Sequence, residues 1–467
     1  MKITKKELLK NVLLEKNVTF LLGAGASAPF FSSLGRLELI LSHKDISQEG
    51  ANLIKTLFFK LSISDNSYLL NYLNNHCYCG EKSELMVKIL NEYLRFIYNN
   101  LEYLKLRNSR VSPKRVNLVT TNYDLFLESA VETVLENNPR IFFNDGANGY
   151  VKRVLNTDNF NKTLLYSGIF DNYSNEMPVI NMIKCHGSIN WKRVQQKKDK
   201  KQMVQITPSE SAITKINVLL KDFLIKFEED VDNYSILANL SFSDSNDFIR
   251  LLNSKEIDMD KLVSDINKLA IHSKSMTSEI RKNLEQLQIV FPTKRKFQST
   301  LIEEHYFNML RLLSYELEKE QSALIVFGFS FYDEHISDVV QRSLNNPNLI
   351  VLIFCFQNDD AADIISRFNF SDFTIPKNII FIKPDDFLKR TYTNEEFETQ
   401  EKELDLSNYT VIKADSEVKL YSSEVHSIDI NSNTIPVLDF YSLNSCMEEE
   451  LSNKYLPIML ETGDIYE

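Results

Sequence analysis

Long apolar runs are missing from this chain of 467 residues. The longest, "ALIVFGF" (Ala323–Phe329) and "LIVLIFCF" (Leu349–Phe356), have the length of buried strands and fall far short of a membrane span. The Lys-rich stretch after Met1 lacks an apolar h-region, so no secretory signal and a cytoplasmic location are expected. Cysteine is scarce, odd in number and scattered: Cys77, Cys79, Cys185, Cys355 and Cys446. One residue separates Cys77 from Cys79 and no second pair answers them, so no metal site is expected, and the thiols read as reduced. Positive charge is in the minority, 53 Lys and Arg against 64 Asp and Glu. That balance argues against direct nucleic-acid binding, which needs clustered cations. With 11 Gly and 11 Pro there is little room for long flexible linkers, and neither a repeat nor a Walker A motif occurs.

What is present reads as an ordinary folded protein, 43% hydrophobic and 25% charged. Six short runs rich in β-branched residues read as buried parallel strands: Val18–Leu22, Val116–Thr120, Val179–Cys185, Ala323–Phe329, Leu349–Phe356 and Ile379–Ile382. Helical patterns lie between them, the clearest with Leu301, Ile302, His305, Met309, Leu313 and Leu317 near one face. The fold class expected is α/β, a Rossmann-like doubly wound parallel sheet with its ligand site at the strands' carboxyl ends. Residues 1–390 form the expected catalytic domain, with helical insertions at about 37–110 and 195–288. The second insertion opens on the charged run "QQKKDKKQ", read as a solvated loop. Residues 391–467 read as a small C-terminal appendage that can serve assembly.

Four stretches fall just past predicted strands. In "VTFLLGAGASAP", Gly23 and Gly25 can let the backbone approach a diphosphate, and Ser27 can cap a following helix whose N–H groups face the anion. A plain tight turn explains the same residues. In "NLVTTNYDLFLESA", Asn122 can donate or accept through its amide and Asp124 can fix a carboxamide or hydroxyl; either can instead cap the next helix. In "VINMIKCHGSINW", His186 stands on a tight turn, suited to general-base work near neutral pH. In "ALIVFGFSFYDEHISDVV", Gly328 and Ser330 can close over a nucleotide from the other side. Asp333 and His335 there fit the first turn of a helix equally well.

Taken in order, G-A-G-x-S (Gly23–Ser27), T-x-N-x-D (Thr120–Asp124), K-x-H-G-S (Lys184–Ser188) and G-x-S-F-x-D-x-H-I (Gly328–Ile336) resemble the sirtuin superfamily. The nearest likeness is to its bacterial sirtuin-like NAD-hydrolase branch. The resemblance implies Asn122, Asp124 and His186 as catalytic residues, Asp124 holding the nicotinamide carboxamide. It implies a phosphate loop of Gly23, Ala24, Gly25 and Ser27, with Thr121, Gly187 and Ser188 beside it, and Gly328 and Ser330 at the adenosine half. NAD is then the substrate and no metal is required. Deacylases of the superfamily carry a four-cysteine zinc ribbon after the histidine motif; here "HGSINWKRVQQKKDKKQ" has none. The deacylase segment G-I-P-D-F-R is also replaced, by "FSSLGRLEL", with Arg36 at the corresponding count.

The resemblance further implies NAD depletion in anti-phage defence, switched by homo-oligomerisation, a phage-derived trigger or a HerA-like ATPase partner. Two other readings stand beside it. One is a non-catalytic NAD-sensing scaffold. The other is an oxidoreductase, for which Asp45 lies at about the right distance to hold a ribose, though not at a predicted strand end.

Overall fold

A computed structural model describes residues 4–448 except 32–36, 76–81, 108–112, 139, 171–173, 196–201, 208–209, 232–256, 273, 291–303, 369, 371–374, 402–403, 415 and 431–432. Cys77, Cys79, Arg36, Leu301, Ile302 and most of the charged run therefore lie outside the described residues.

All six predicted strands form, within two residues of their expected ends: Asn17–Leu22, Arg115–Thr120, Val179–Lys184, Ser322–Phe327, Ile350–Phe354 and Ile379–Ile382. A seventh, Phe142–Asn144, joins them at one edge. The sheet is parallel throughout. From edge to edge its strands begin at residues 379, 350, 322, 17, 115, 179 and 142. The chain thus starts in the middle, winds out to one side, and returns at Ser322 to wind out on the other. The reversal falls between Asn17–Leu22 and Ser322–Phe327, and a parallel sheet opens a crevice beyond the carboxyl ends of such a strand pair.

Alternation along each strand divides the apolar side chains between two faces. Val18, Phe20, Leu118, Ile180, Ile325 and Leu352 belong to one core, and Leu21, Val119, Ile183, Leu324, Val326 and Ile353 to the other. Helices cover both cores, which is why the strands read as continuous apolar runs. Over the second face lie Glu304–Leu317, with Met309, Leu313 and Leu317 buried as its spacing predicts, and Glu334–Ser343.

The first face carries both insertions. Residues 37–110 supply the helices Leu37–Leu41, Gln48–Ser62, Asn66–Asn75 and Ser83–Leu106. Gln48–Ser62 packs on Met259–His272 and Lys274–Leu284 of the second insertion, so the two insertions share one helical lobe. The second insertion is not helical throughout. Its opening is a hairpin, Gly187–Gln195 with Gln202–Ile206, that enters a five-stranded sheet with Leu287–Ile289. Alternating apolar and polar residues around Trp191 and Val204 put one side of this hairpin into the second core.

Beyond residue 390 the chain does two things. A three-stranded sheet (Leu388–Thr393, Tyr409–Lys413, Glu417–Ser422) encloses a small cluster of its own, with Phe397, Val418 and Leu420. The helix Phe440–Glu448 then returns to the main body. Asp439 caps it by accepting from Ser442 N, and Phe440, Leu443, Cys446 and Met447 are buried in the first core. Arg95 on Ser83–Leu106 clasps this helix through Glu448, Oε2 lying at 2.6 Å. This segment is as much core as appendage.

The reversal point is closed by glycine. Gly25 N–H donates to Gly328 O at 3.0 Å, and Gly328 has φ +63°. A Cβ on Gly328 would stand 2.6 Å from Ala26 N. Gly328→Ala is expected to lower stability by about 1–3 kcal/mol, combining left-handed strain with a backbone clash. Chemical denaturation of the purified variant checks this; an unchanged midpoint would show that the two loops separate freely.

Candidate active site

Each of the four motifs follows a strand, so the sheet alone brings them to its carboxyl edge. There they touch in a closed ring. The Gly23–Ser27 turn meets the Thr121–Asp124 loop through Asn122 and Ser27, and meets Gly328 through Gly25. The ring closes where His186 meets Asp333, Nε2 to Oδ2 at 3.0 Å, and where the His186 ring lies 6.4 Å from that of Tyr123.

Ser27 is the hub of the first contact, and its geometry corrects the expectation of a helix cap. Ala24–Ala26 is a single 3₁₀ turn, Ser27 N–H is bonded to Ala24 O, and the Ser27 side chain is buried. Its hydroxyl donates to Asp124 Oδ2 at 2.7 Å. A hydroxyl has one proton and two lone pairs, so the other two contacts must be donors to it. They are Asn122 Nδ2 at 3.1 Å and the Tyr93 hydroxyl at 2.8 Å.

The second proton of the Asn122 amide goes to Gly23 O at 3.0 Å. Both donors are thus turned inward, the amide orientation is set by the network, and Oδ1 is left as an acceptor on a half-buried side chain. The sequence allowed donation or acceptance; this arrangement selects acceptance. Asp124 is buried, with Oδ1 accepting from Phe126 N and Oδ2 from Ser27. Burial raises its pKa, opposed by Lys184 and the Ser27 hydroxyl. Burial also pushes the Tyr93 phenol well up, with Asp124 adding to it, so Tyr93 stays a donor at neutral pH.

The glycine turn has few amides to offer an anion. Gly23, Gly25, Ala26 and Ser27 N–H groups bond to Phe327, Gly328, Gly23 and Ala24 carbonyls. Ala24 N–H is the one amide of the turn without a partner among the described residues. A single 3₁₀ turn stands where a helix with free N–H groups was expected, and the two glycines serve the close approach to Gly328.

Opposite stands the histidine turn. Gly187 has φ +82°, and a Cβ there would lie 2.0 Å from Gln288 O, so glycine is required by the strand Leu287–Ile289 alongside. Ser188 is wholly buried and accepts from Lys184 Nζ at 2.9 Å, which places it behind the site. Ser330 is exposed on the rim, its carbonyl accepting from Arg367. Thr121 N–H is bonded to Leu22 O.

Asp333 does both things its position allows. Oδ1 caps the helix Glu334–Ser343 by accepting from His335 N and Ile336 N, at 3.1 and 3.2 Å, and Oδ2 faces His186. Nε2 is thus the ring nitrogen turned toward the carboxylate, and no partner for Nδ1 occurs among the described residues. The sequence pointed to Asp333 as a cap and missed its second role. Tyr93 was missed altogether: it comes from an inserted helix with no motif around it. Asp45 lies on the turn before Gln48–Ser62, beside His43 and Asp260 and at no strand end.

No protein-family model matches the chain, and no curated protein matches it.

Two outcomes follow. Ser27→Ala leaves Asp124 and Tyr93 short of a buried partner and frees the Asn122 amide, so an unfolding free energy lower by about 1–3 kcal/mol is expected; urea titration reads it. Separately, His305, half-buried against Tyr306 and Trp191, has its pKa lowered to about 4 by loss of solvent, with Arg193 adding to it. A histidine with a depressed folded pKa stabilises the fold above its unfolded value of about 6.5, and that contribution is lost as pH falls toward 4. It is at most about 3 kcal/mol. The fall in stability between pH 7 and 5 is expected to shrink in His305→Phe, and an identical pH slope in both proteins would refute the assignment.

Proposed function

We propose that the chain is an NAD glycohydrolase, converting NAD and water to ADP-ribose, nicotinamide and a proton. The observation that carries this reading is that the carboxyl edge of one sheet holds both an asparagine set as an acceptor and a histidine whose Nε2 lies 3.0 Å from a carboxylate. That set suits the reaction. Nicotinamide is already a cationic leaving group, and the ribose passes through an oxocarbenium-like state, so the protein chiefly has to place water and take its proton.

In this reading Asn122 Oδ1 accepts a hydrogen bond from the attacking water or a ribose hydroxyl. The water oxygen bonds to the anomeric carbon as the bond to the nicotinamide nitrogen breaks, and its proton passes to His186 Nδ1. The electron pair of the broken bond neutralises the nicotinamide. Asp333 stabilises the imidazolium that forms and fixes the ring. Asp124, with both oxygens bonded internally, acts through Ser27 on the Asn122 amide. The diphosphate has Ala24 N–H at the glycine turn, and Ser330 stands on the rim toward the adenosine half. Placement at the reversal of a parallel sheet favours a nucleotide ligand generally. The choice of NAD cleavage comes from the resemblance of the four motifs.

The same resemblance carries the cellular role we propose, NAD depletion in anti-phage defence, released by a trigger, a partner such as a HerA-like ATPase, or self-association. The helical lobe and the small sheet of residues 388–422 are the surfaces for such control.

Chromatography of nicotinamide and ADP-ribose after incubation with NAD tests the reading. Wild type is expected to release nicotinamide; Asn122→Ala and His186→Ala are expected to lose about 10²–10⁴-fold in turnover while binding NAD. Asp333→Asn keeps a helix cap but removes the carboxylate from His186, and is expected to lose turnover while holding its thermal midpoint. Tight NAD binding without turnover, with candidate partners present, would replace the hydrolase with the sensing scaffold.

A further inference from the structure

Lys184 belongs to a motif but has no place in the chemistry above. Its side chain is 1% exposed, at the end of a central strand. A lysine is rarely buried so completely unless each ammonium proton has a partner. Here the three partners lie on different segments. Lys184 Nζ donates to the Asp124 main-chain carbonyl and to Ser188 Oγ at 2.9 Å, and it forms an ion pair with Glu128, Oε1 lying at 2.7 Å.

The spacing of those partners matters. The Asp124 carbonyl is two residues from Asn122, and Ser188 is two residues past His186. Glu128 stands in the first turn of Phe126–Asn137, the helix that follows the asparagine loop. The ammonium group therefore links the two loops that carry the acceptor and the base. Among the described residues the other direct bonds that join them are Ile189 N–H to Tyr123 O at 3.3 Å, Ser188 Oγ to Tyr123 O at 3.5 Å, and Cys185 N–H to Thr120 O at 3.0 Å. Glu128 balances the charge. Its own pKa is raised by burial and held back by Lys184.

We propose that Lys184 is a positioning residue: through Glu128, Ser188 and the Asp124 carbonyl it sets the separation and orientation of Asn122 and His186. It touches neither substrate nor reacting atoms. The proposal rests on the hydrolase reading for its effect on turnover, but its effect on His186 does not.

The test is the double variant Lys184→Met/Glu128→Gln, which removes the linkage without stranding a buried charge. Arg107→Met is its control. Arg107 is also a buried cation on main-chain carbonyls, of Leu13 and Arg115, at the opposite end of the sheet. Histidine labelled with ¹³C at Cε1 gives seven resonances, and His186→Ala identifies the relevant one.

In the double variant the His186 resonance is expected to move. Turnover is expected to fall about 10–100-fold with NAD affinity nearly unchanged. Arg107→Met is expected to lower the thermal midpoint and leave the His186 resonance where it is. An unmoved His186 in a folded double variant overturns the proposal, as does turnover per folded molecule equal to wild type. Should the double variant not fold, Ser188→Ala removes one of the three bonds and is read the same way, with a smaller shift. A wild type that never releases nicotinamide overturns the hydrolase reading alone, because the NMR comparison still decides the role of Lys184.

Discussion

Where the sheet reverses direction, two loops meet main chain to main chain. Gly25 lies against Gly328 with no room for a Cβ on either, and the hydrogen bond between them joins the half of the sheet that begins the chain to the half that ends it. Everything at the carboxyl edge is positioned from this contact. It puts the glycine turn beside the asparagine loop, so that Ser27 can bond Asn122 and Asp124, and it fixes the loop that delivers Asp333 to His186. Were the two loops a side chain further apart, the ring of contacts around the crevice would be open.

The polar groups behind the crevice are arranged by a single rule, that a buried donor or acceptor must be paired. Ser27 satisfies two donors and one acceptor at once, and in doing so decides which end of the Asn122 amide is presented. Lys184 spends its ammonium group on two hydrogen bonds and an ion pair and in doing so joins two loops. Neither group has any freedom left, and that is their use: rigid partners hold the few atoms that face outward.

Much of this was legible in the sequence, for a physical reason. Strands buried on both faces are apolar throughout, so six of seven stood out; Phe142–Asn144 did not, being three residues long and on an edge. Motifs at strand ends are legible because the sheet converts sequence position into spatial position. Pairings between motifs are not. Nothing near His186 signals Asp333, although the D-E-H start of a helix was visible as a cap. Tyr93 carries no local signal, since its role depends on an inserted helix folding back over the glycine turn. The strand Gly187–Gln195 was hidden because the Lys192–Arg193 pair breaks its alternation, and the charged run beyond it drew the eye to a loop. The final helix was signalled by Asp439 and Ser442 at capping distance, a pattern masked by the acidic, strand-like stretch before it.

Phe440 has a consequence for the order in which the molecule is made. Its ring packs on Tyr93, which serves Ser27, and on Phe327, the last residue before Gly328, with centroids 4.9 and 5.3 Å apart. A ribosome releases those partners long before it reaches residue 440. While the chain is still growing, the central strand lacks its Ser322–Phe327 neighbour for most of synthesis, and Tyr93 lacks its backing until nearly all the described residues have emerged. A nascent chain therefore holds every motif residue well before it holds the packing that aligns them, so the crevice matures late.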